Sequence, residues 1–248
     1  MEQSGSIHNQ KKLNPLYIHS ELVHNLNAPR ELVPFLISLT KPKSVLDVGC
    51  GTGTWLKAFD ENGLNDYVGV DGDYVDRKML RIPISKFMSQ DLREEWSLNR
   101  KFDLVISLEV AEHLPEESAE HFVKTLAAHG EIIIFSTAIP EQGGQNHLNE
   151  QWPLYWQQKF ERQGFYFHDV IRPVIWNNEK MEWWYRQNIF LLKKSKSSQE
   201  ILALVHPECF KHQLTVLQNR NRSIASGELG VWESLKIFVK SILLFRIF

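Results

Sequence analysis

The chain has 248 residues, 43% of them hydrophobic, which suffices for one large α/β domain with a modest appendage. Its 28 Lys and Arg stand against 30 Asp and Glu, and a net charge of −2 excludes a chain-wide electrostatic footprint for nucleic acid. Two cysteines, Cys50 and Cys209, fit a reducing compartment, and no uninterrupted apolar run reaches the roughly 18 residues that a membrane span requires.

Residues 1–14 are polar, opening Met-Glu-Gln-Ser-Gly-Ser, and read as a disordered N-terminus without the apolar stretch of a signal peptide. A cytoplasmic protein is the resulting expectation. Residues 15–193 then alternate short apolar runs with helical patterns. Strands are expected at Ser44–Val48, Tyr67–Asp71, Ser85–Ser89, Phe102–Ser107 and Glu131–Ser136, with helices at Thr54–Asn62, Pro115–His129 and Glu150–Gln163. Continuous apolar strands separated by helices predict a parallel sheet covered on both faces, an α/β three-layer sandwich. Two further strands, near Phe165–Arg172 and Arg186–Leu192, have no long helix between them and predict an antiparallel hairpin at the sheet edge.

The first strand ends in Val45-Leu-Asp-Val-Gly-Cys-Gly-Thr-Gly53. Asp47 closes the strand, and Gly49, Gly51 and Gly53 let the backbone turn sharply and pass close to a ligand that a Cβ would strike. Cys50 fits this loop as a small filler. The NAD fingerprint spaces its glycines as G-x-G-x-x-G, whereas here single residues separate all three and an acid precedes the first by two. This stretch resembles motif I of the class I S-adenosylmethionine (SAM) methyltransferases, a Rossmann-like family. The resemblance implies SAM as cofactor and a seven-stranded sheet of order 3-2-1-4-5-7-6 with an antiparallel last strand.

In such sheets ligands sit beyond the C-terminal strand ends. Asp71, twenty positions after Gly51 and followed by Gly72, stands where an acid accepts both ribose hydroxyls. After the third strand, the resemblance gives Asp91 the adenine amino group and the Leu92 backbone the ring. After the fourth, Ser107, Leu108 and Glu109 are expected to line the methionine end.

Glu109, Glu112 and His113 follow at spacings i, i+3, i+4, which on a helical turn project to one side. Two carboxylates and an imidazole suit Mg²⁺ or another divalent cation, with His147 as a further ligand. The string is similar to the E-x-x-E-H metal site of small-RNA 2′-O-methyltransferases and ubiquinone-pathway O-methyltransferases. It is equally read as a metal-free turn whose Glu bonds locally and whose His packs. His147 lies in a glycine-containing loop after the fifth strand and is the first candidate general base, since an imidazole titrates near neutrality; His113 is the second. A surface histidine in a glycine-rich turn is the plain alternative for His147.

Trp152, Tyr155 and Trp156 are expected to share a helix face within a crowd that includes Trp176, Trp183 and Trp184. Core packing accounts for most of these rings, with one or two facing an acceptor. The wording His24-Asn-Leu-Asn-Ala-Pro29, Gly143-Gly-Gln-Asn-His147 and Glu150-Gln-Trp-Pro-Leu-Tyr-Trp156 resembles bacterial methyltransferases associated with glycan and polysaccharide biosynthesis. The implied activity is methyl transfer to a hydroxyl of a small-molecule acceptor, a carbohydrate. The alternatives are an N-methyltransferase for amines, an RNA 2′-O-methyltransferase, disfavoured by charge, and a non-catalytic SAM-binding scaffold.

From Lys193-Lys-Ser-Lys-Ser-Ser198 the character changes. Residues 194–248 hold eight Lys and Arg against four Asp and Glu, a net +4, while the rest carries −6. Val231 to Phe248 is apolar with interspersed Lys236, Lys240 and Arg246, a basic amphipathic helix with Leu235, Phe238, Ile242 and Phe245 on one face. Three partners fit that face equally on sequence: the chain's own sheet, a second copy in a homodimer, or a membrane surface.

Overall fold

A computed structural model of the chain describes residues 17–20, 24–194, 201–226, 228 and 230–245. The expectation of disorder over 1–14 falls outside the described residues. Two compact units divide the chain between Leu204 and Val205.

The first unit opens with helix α1 (Asn27–Thr40), which precedes the first strand β1 (Val45–Val48). Then come α2 (Thr54–Glu61), β2 (Tyr67–Asp71), β3 (Phe87–Ser89) and β4 (Leu104–Leu108), followed by α3 (Ala119–His129) and β5 (Ile132–Ser136). The unit ends with α4 (Pro153–Glu161), β6 (Tyr166–His168), two short helices α5 (Arg172–Ile175) and α6 (Trp183–Asn188), and β7 (Phe190–Lys193). The seven strands form one sheet in the order β3-β2-β1-β4-β5-β7-β6. Pairs from β3 to β5 are parallel; β7 runs antiparallel to both β5 and β6. This is the α/β sandwich that the strand and helix alternation predicted, with the strand order that the resemblance to class I methyltransferases implied.

The period-2 alternation of strand side chains sorts the apolar residues into two cores, one on each face. Leu104, Ile106, Ile134 and Leu191 join α1 and α2 through Leu32, Leu36, Leu56 and Phe59. Val105, Ile133, Phe135 and Leu192 join α3 and α4 through Phe122, Leu126, Trp156 and Phe160. The Phe135 ring lies 5.4 Å from that of Trp156 and 5.0 Å from that of Phe160. Truncating such a ring to alanine costs about 3–5 kcal/mol.

Three sequence-level expectations need correcting. The sixth strand stops at His168, because Arg172 opens α5: its guanidinium is buried, binds the Asp169 carboxylate at 2.8 and 2.5 Å and lies 4.3 Å from the Phe190 ring centroid. The seventh strand starts at Phe190 rather than Arg186, since residues 186–188 finish α6. Trp152 caps α4 instead of joining its face: it is exposed, while Trp156 is buried in the core and Tyr155 half-buried. Beyond β7, the first unit includes Leu202, whose carbonyl accepts from Arg172 Nη2.

The second unit holds α7 (Pro207–Ala225), capped by His206 whose Nδ1 accepts from Glu208 N–H, and α8 (Gly230–Phe245). No helix among the described residues is long and apolar enough to cross a membrane.

Candidate active site

The strand order reverses between β1 and β4, and the glycine loop leaves β1 at that switch point. Gly49, Gly51 and Gly53 all take positive φ, +84°, +52° and +80°. At Gly49 the need is also steric: a Cβ would stand 2.3 Å from Val110 Cγ2. Cys50 is buried in the loop, and burial pushes its thiol up, as befits a filler rather than a nucleophile.

Asp47 and Asp71 form a buried acidic floor beneath this loop. Asp71 accepts from Gly51 N–H at 2.7 Å, Gly72 N–H at 2.6 Å and the Tyr74 hydroxyl at 2.7 Å. Asp47 Oδ2 is buried without a hydrogen-bond partner among the described residues. Burial pushes both carboxyls up, that of Asp47 strongly, and the Asp71 charge adds to the shift at Asp47. An orphaned, buried carboxylate oxygen favours a cationic or hydrogen-bond-donating ligand.

At the other strand ends, Asp91 is exposed and paired with Arg93, with Nη2 to Oδ2 at 2.6 Å, which holds its carboxyl below the usual range. Leu92 is buried. Ser107 and Leu108 are buried at the end of β4, and the Ser107 hydroxyl has no partner among the described residues.

The E-x-x-E-H string does not form a single helical turn. Glu109 has φ +54°, and only Ala111–His113 make a short 3₁₀ turn. The Glu109 carboxylate turns toward Asn188 Nδ2, 3.2 Å from each oxygen, and Gln142 Nε2 at 3.2 Å, while its N–H donates to Ser136 O and Oγ at 3.1 Å each. Glu112 is fully buried and accepts from Thr137 Oγ1 at 3.0 Å and Ala138 N–H at 3.2 Å. Burial raises Glu109 to about 7. Glu112 is raised well above the usual range, by burial first and then by the Glu109 charge. The two carboxyls therefore share a proton.

The loop after β5 brings His147 to His113. Leu148 and Asn149 N–H groups both donate to the Glu112 carbonyl, at 2.7 and 3.0 Å, which ties the loop onto the 3₁₀ turn. The imidazoles of His113 and His147 then meet edge to face with centroids 4.9 Å apart. His147 Nδ1 lies 2.7 Å from Glu150 Oε1. A carboxylate only accepts, so Nδ1 carries a proton, and in the neutral ring Nε2 then offers the lone pair. Glu150 also accepts from Gly143 N–H at 2.7 Å and Glu141 N–H at 2.8 Å, so one carboxylate closes the loop and fixes the ring. His113 is lowered to about 4 by burial and by its neighbour His147, and its Nδ1 is buried without a hydrogen-bond partner among the described residues.

Ligand atoms of Glu112, His113 and His147 lie within 4.8 Å of one another. Glu109, expected in the same cluster, lies outside this ligand set: its carboxylate meets Asn188, Gln142 and the Glu112 carboxyl.

A strap from the N-terminal side completes the site. Tyr17 stands edge to face with His113 at 4.9 Å and its hydroxyl lies 3.2 Å from His24 Nε2. The His19 ring stacks toward Tyr74 at 6.0 Å, and His19 Nε2 lies 3.1 Å from the point where a Gly51 Cβ would be. Burial lowers His24 to about 4 and raises Tyr17 to about 12. Sequence reasoning assigned no roles to this strap, to Tyr74 or to Glu150. Glu150, three residues from His147, left a usable signal; the strap left none beyond its place ahead of the first strand, because what ties it to the site, His113, Tyr74 and Gly51, is distant in sequence.

A methyltransferase-domain family model matches residues 22–188. The chain belongs to that family. Solved structures with the same fold as this methyltransferase domain include Streptomyces venezuelae DesVI, at 17% identity and TM-score 0.52 over 70% of this chain and 95% of that one. A SAM-dependent methyltransferase from Clostridium acetobutylicum matches at 12% identity and TM-score 0.52, over 70% and 94%. The glycopeptide N-methyltransferase MtfA, complexed with sinefungin, matches at 12% and TM-score 0.50, over 67% and 93%. No curated protein matches the chain. The fold is that of the SAM-dependent methyltransferases.

Proposed function

We propose that this methyltransferase moves the SAM methyl group to a hydroxyl of a small carbohydrate acceptor. The His147–Glu150 pair, with His113 at its side, carries the reading: it is an imidazole oriented through Nδ1 by a carboxylate, on the loop that follows β5. The glycine loop, Asp47 and Asp71 would bind the donor, with Asp71 exchanging the Tyr74 hydroxyl for the ribose hydroxyls. Asp91 would take the adenine amino group, Leu92 would flank the ring, and the Ser107–Glu109 strand end would line the methionine side. Bound SAM supplies an electrophilic methyl on a sulfonium, and loss of the methyl leaves a neutral thioether.

As the acceptor oxygen takes the methyl, His147 Nε2 removes the hydroxyl proton and the Glu150 carboxylate stabilises the resulting imidazolium. Holding donor and acceptor in line supplies most of the remaining rate. The exposed Trp152 ring, two residues beyond Glu150, offers a flat apolar face of the kind that sugars stack on. The carbohydrate assignment rests on this ring and on the sequence resemblance to glycan-associated methyltransferases.

A second reading concerns a cation. Glu112, His113 and His147 make a carboxylate and two-imidazole donor set that fits a divalent metal, and the Glu150 bond to His147 Nδ1 is the arrangement that orients a metal-ligating histidine. Such a cation would lower the pKa of a coordinated hydroxyl.

The test is His147→Ala assayed by mass spectrometry against nucleotide-sugars and glycan intermediates, with matched amines. Loss of roughly 100-fold or more with hydroxyl acceptors is expected. Full activity with the true acceptor would remove His147 as base and favour N-methylation. Activity unchanged by EDTA would rule out the cation.

A further inference from the structure

The α7–α8 unit carries an apolar face with a cationic border, and nothing in the methyl-transfer chemistry uses it. On α8, Val231, Trp232, Leu235, Phe238 and Val239 fall on one side of the helix at i, i+4, i+7 and i+8 spacings. All are exposed: Val231 to 81%, Trp232 to 77% and Phe238 to 60%. Ile242 and Phe245, expected on the same face, have side chains outside the described residues. On α7, Phe210, Leu214, Leu217 and Ile224 form a second exposed apolar row. Isolated surface leucines need no explanation, whereas two contiguous exposed rows mark an interaction surface.

Charge selects the occupant. Residues 205–248 contain six Lys and Arg against three Asp and Glu. A groove of about 620 Å³ between α7 and α8 is lined by Arg220, Lys236 and Lys240 with one acid, Glu233, alongside Trp232 and Leu235. Lys236 reaches Glu233 at 2.5 Å, which leaves the groove with a cationic excess over an apolar floor. That combination matches a phospholipid with an anionic headgroup, whereas a second copy would set the same positive excess against itself. Glu233, Lys236 and Lys240 interrupt the apolar residues of α8, the pattern of a helix that lies in a membrane interface.

We propose that the α7–α8 unit docks this methyltransferase on an anionic membrane surface, with the α8 apolar face among the acyl chains and Arg220, Lys236 and Lys240 at the headgroups. An enzyme held there would meet acceptors that are themselves lipid-linked. That corollary rests on the proposed carbohydrate acceptor, but the docking does not.

The experiment is co-sedimentation of the full chain with vesicles of phosphatidylcholine, alone or mixed in equal parts with phosphatidylglycerol. Binding to the mixed vesicles, at least tenfold weaker to neutral ones and weakened by salt, is expected. Phe238→Glu should abolish it, and a double Lys236→Gln, Lys240→Gln variant, which keeps the apolar face, should weaken it severalfold. A blue shift of emission on vesicle addition, missing in Trp232→Phe, would place that ring in the interface. Failure to sediment, equal binding to both compositions, or a dimer in light scattering that Phe238→Glu dissociates would overturn the proposal. SAM binding measured on the same variants keeps a docking failure distinct from a failure of the methyltransferase reading.

Discussion

Replacing Glu150 by glutamine tests whether its carboxylate does more than close a loop. Three donors converge on it: His147 Nδ1 and Gly143 N–H on Oε1, and Glu141 N–H on Oε2. A glutamine amide has one accepting oxygen. Whichever way it is turned, its NH₂ faces a donor and either the imidazole or the Glu141 N–H loses its partner. Losing one charge-assisted bond costs about 1.5–3 kcal/mol, or roughly 10- to 150-fold. Because the imidazolium forms only as the proton leaves the acceptor, the loss should fall on kcat, with KM for SAM unchanged. Steady-state kinetics of Glu150→Gln, His147→Ala and the double variant would show this, with the double no slower than His147→Ala. Glu150→Asp should recover part of the rate. Wild-type kcat in Glu150→Gln, or independent losses that add in the double variant, would refute the dyad.

Asp71→Asn places an amide NH₂ against the Gly51 or Gly72 N–H and removes the ribose acceptor; SAM affinity by calorimetry should fall about tenfold to a hundredfold. Unchanged affinity would show that Asp71 serves the loop alone. Gly49→Ala must hold φ +84° with a Cβ 2.3 Å from Val110 Cγ2, so a loss of about 2–4 kcal/mol is expected in denaturant unfolding. Glu109→Gln should show a pH-dependent stability difference. The folded-state pKa of Glu109, about 7, lies above its unfolded value, so its stabilising contribution is complete below the unfolded pKa and lost as pH rises through about 7. The variant should therefore gain on the wild type between about pH 5 and about pH 8, by at most about 3 kcal/mol, since Glu112 shares the proton. A difference that stays flat across that range would contradict the buried pair.

Much of the fold was legible in the chain. Val45–Val48, Leu104–Leu108 and Ile132–Ser136 are mostly apolar runs, almost wholly buried, and Gly49, Gly51 and Gly53 announce their backbone by lacking a Cβ. These features are local, because strand period and glycine conformation depend on neighbours in sequence. Asp71 was placed beside the glycine loop by its spacing, and the structure sets it 2.7 Å from Gly51 N–H. Only the tertiary structure decided how the acidic string divides. Spacing put Glu109, Glu112 and His113 in one ligand set, but Glu109 stays outside it: at a positive φ that no local pattern encodes, its carboxylate takes bonds from Asn188 and Gln142 beside the Glu112 carboxyl. In the same way His147 reaches His113 through Leu148 and Asn149 N–H bonds to the Glu112 carbonyl, and Tyr17 and His24 close over the site from far along the chain. The sequence by itself determined the strands and the glycine loop, since both follow from short-range periodicity and sterics, while the order of the strands came from the resemblance to class I methyltransferases. The partners of each ionisable group were decided by folding, because they come from elements that meet only once the sheet has brought them together.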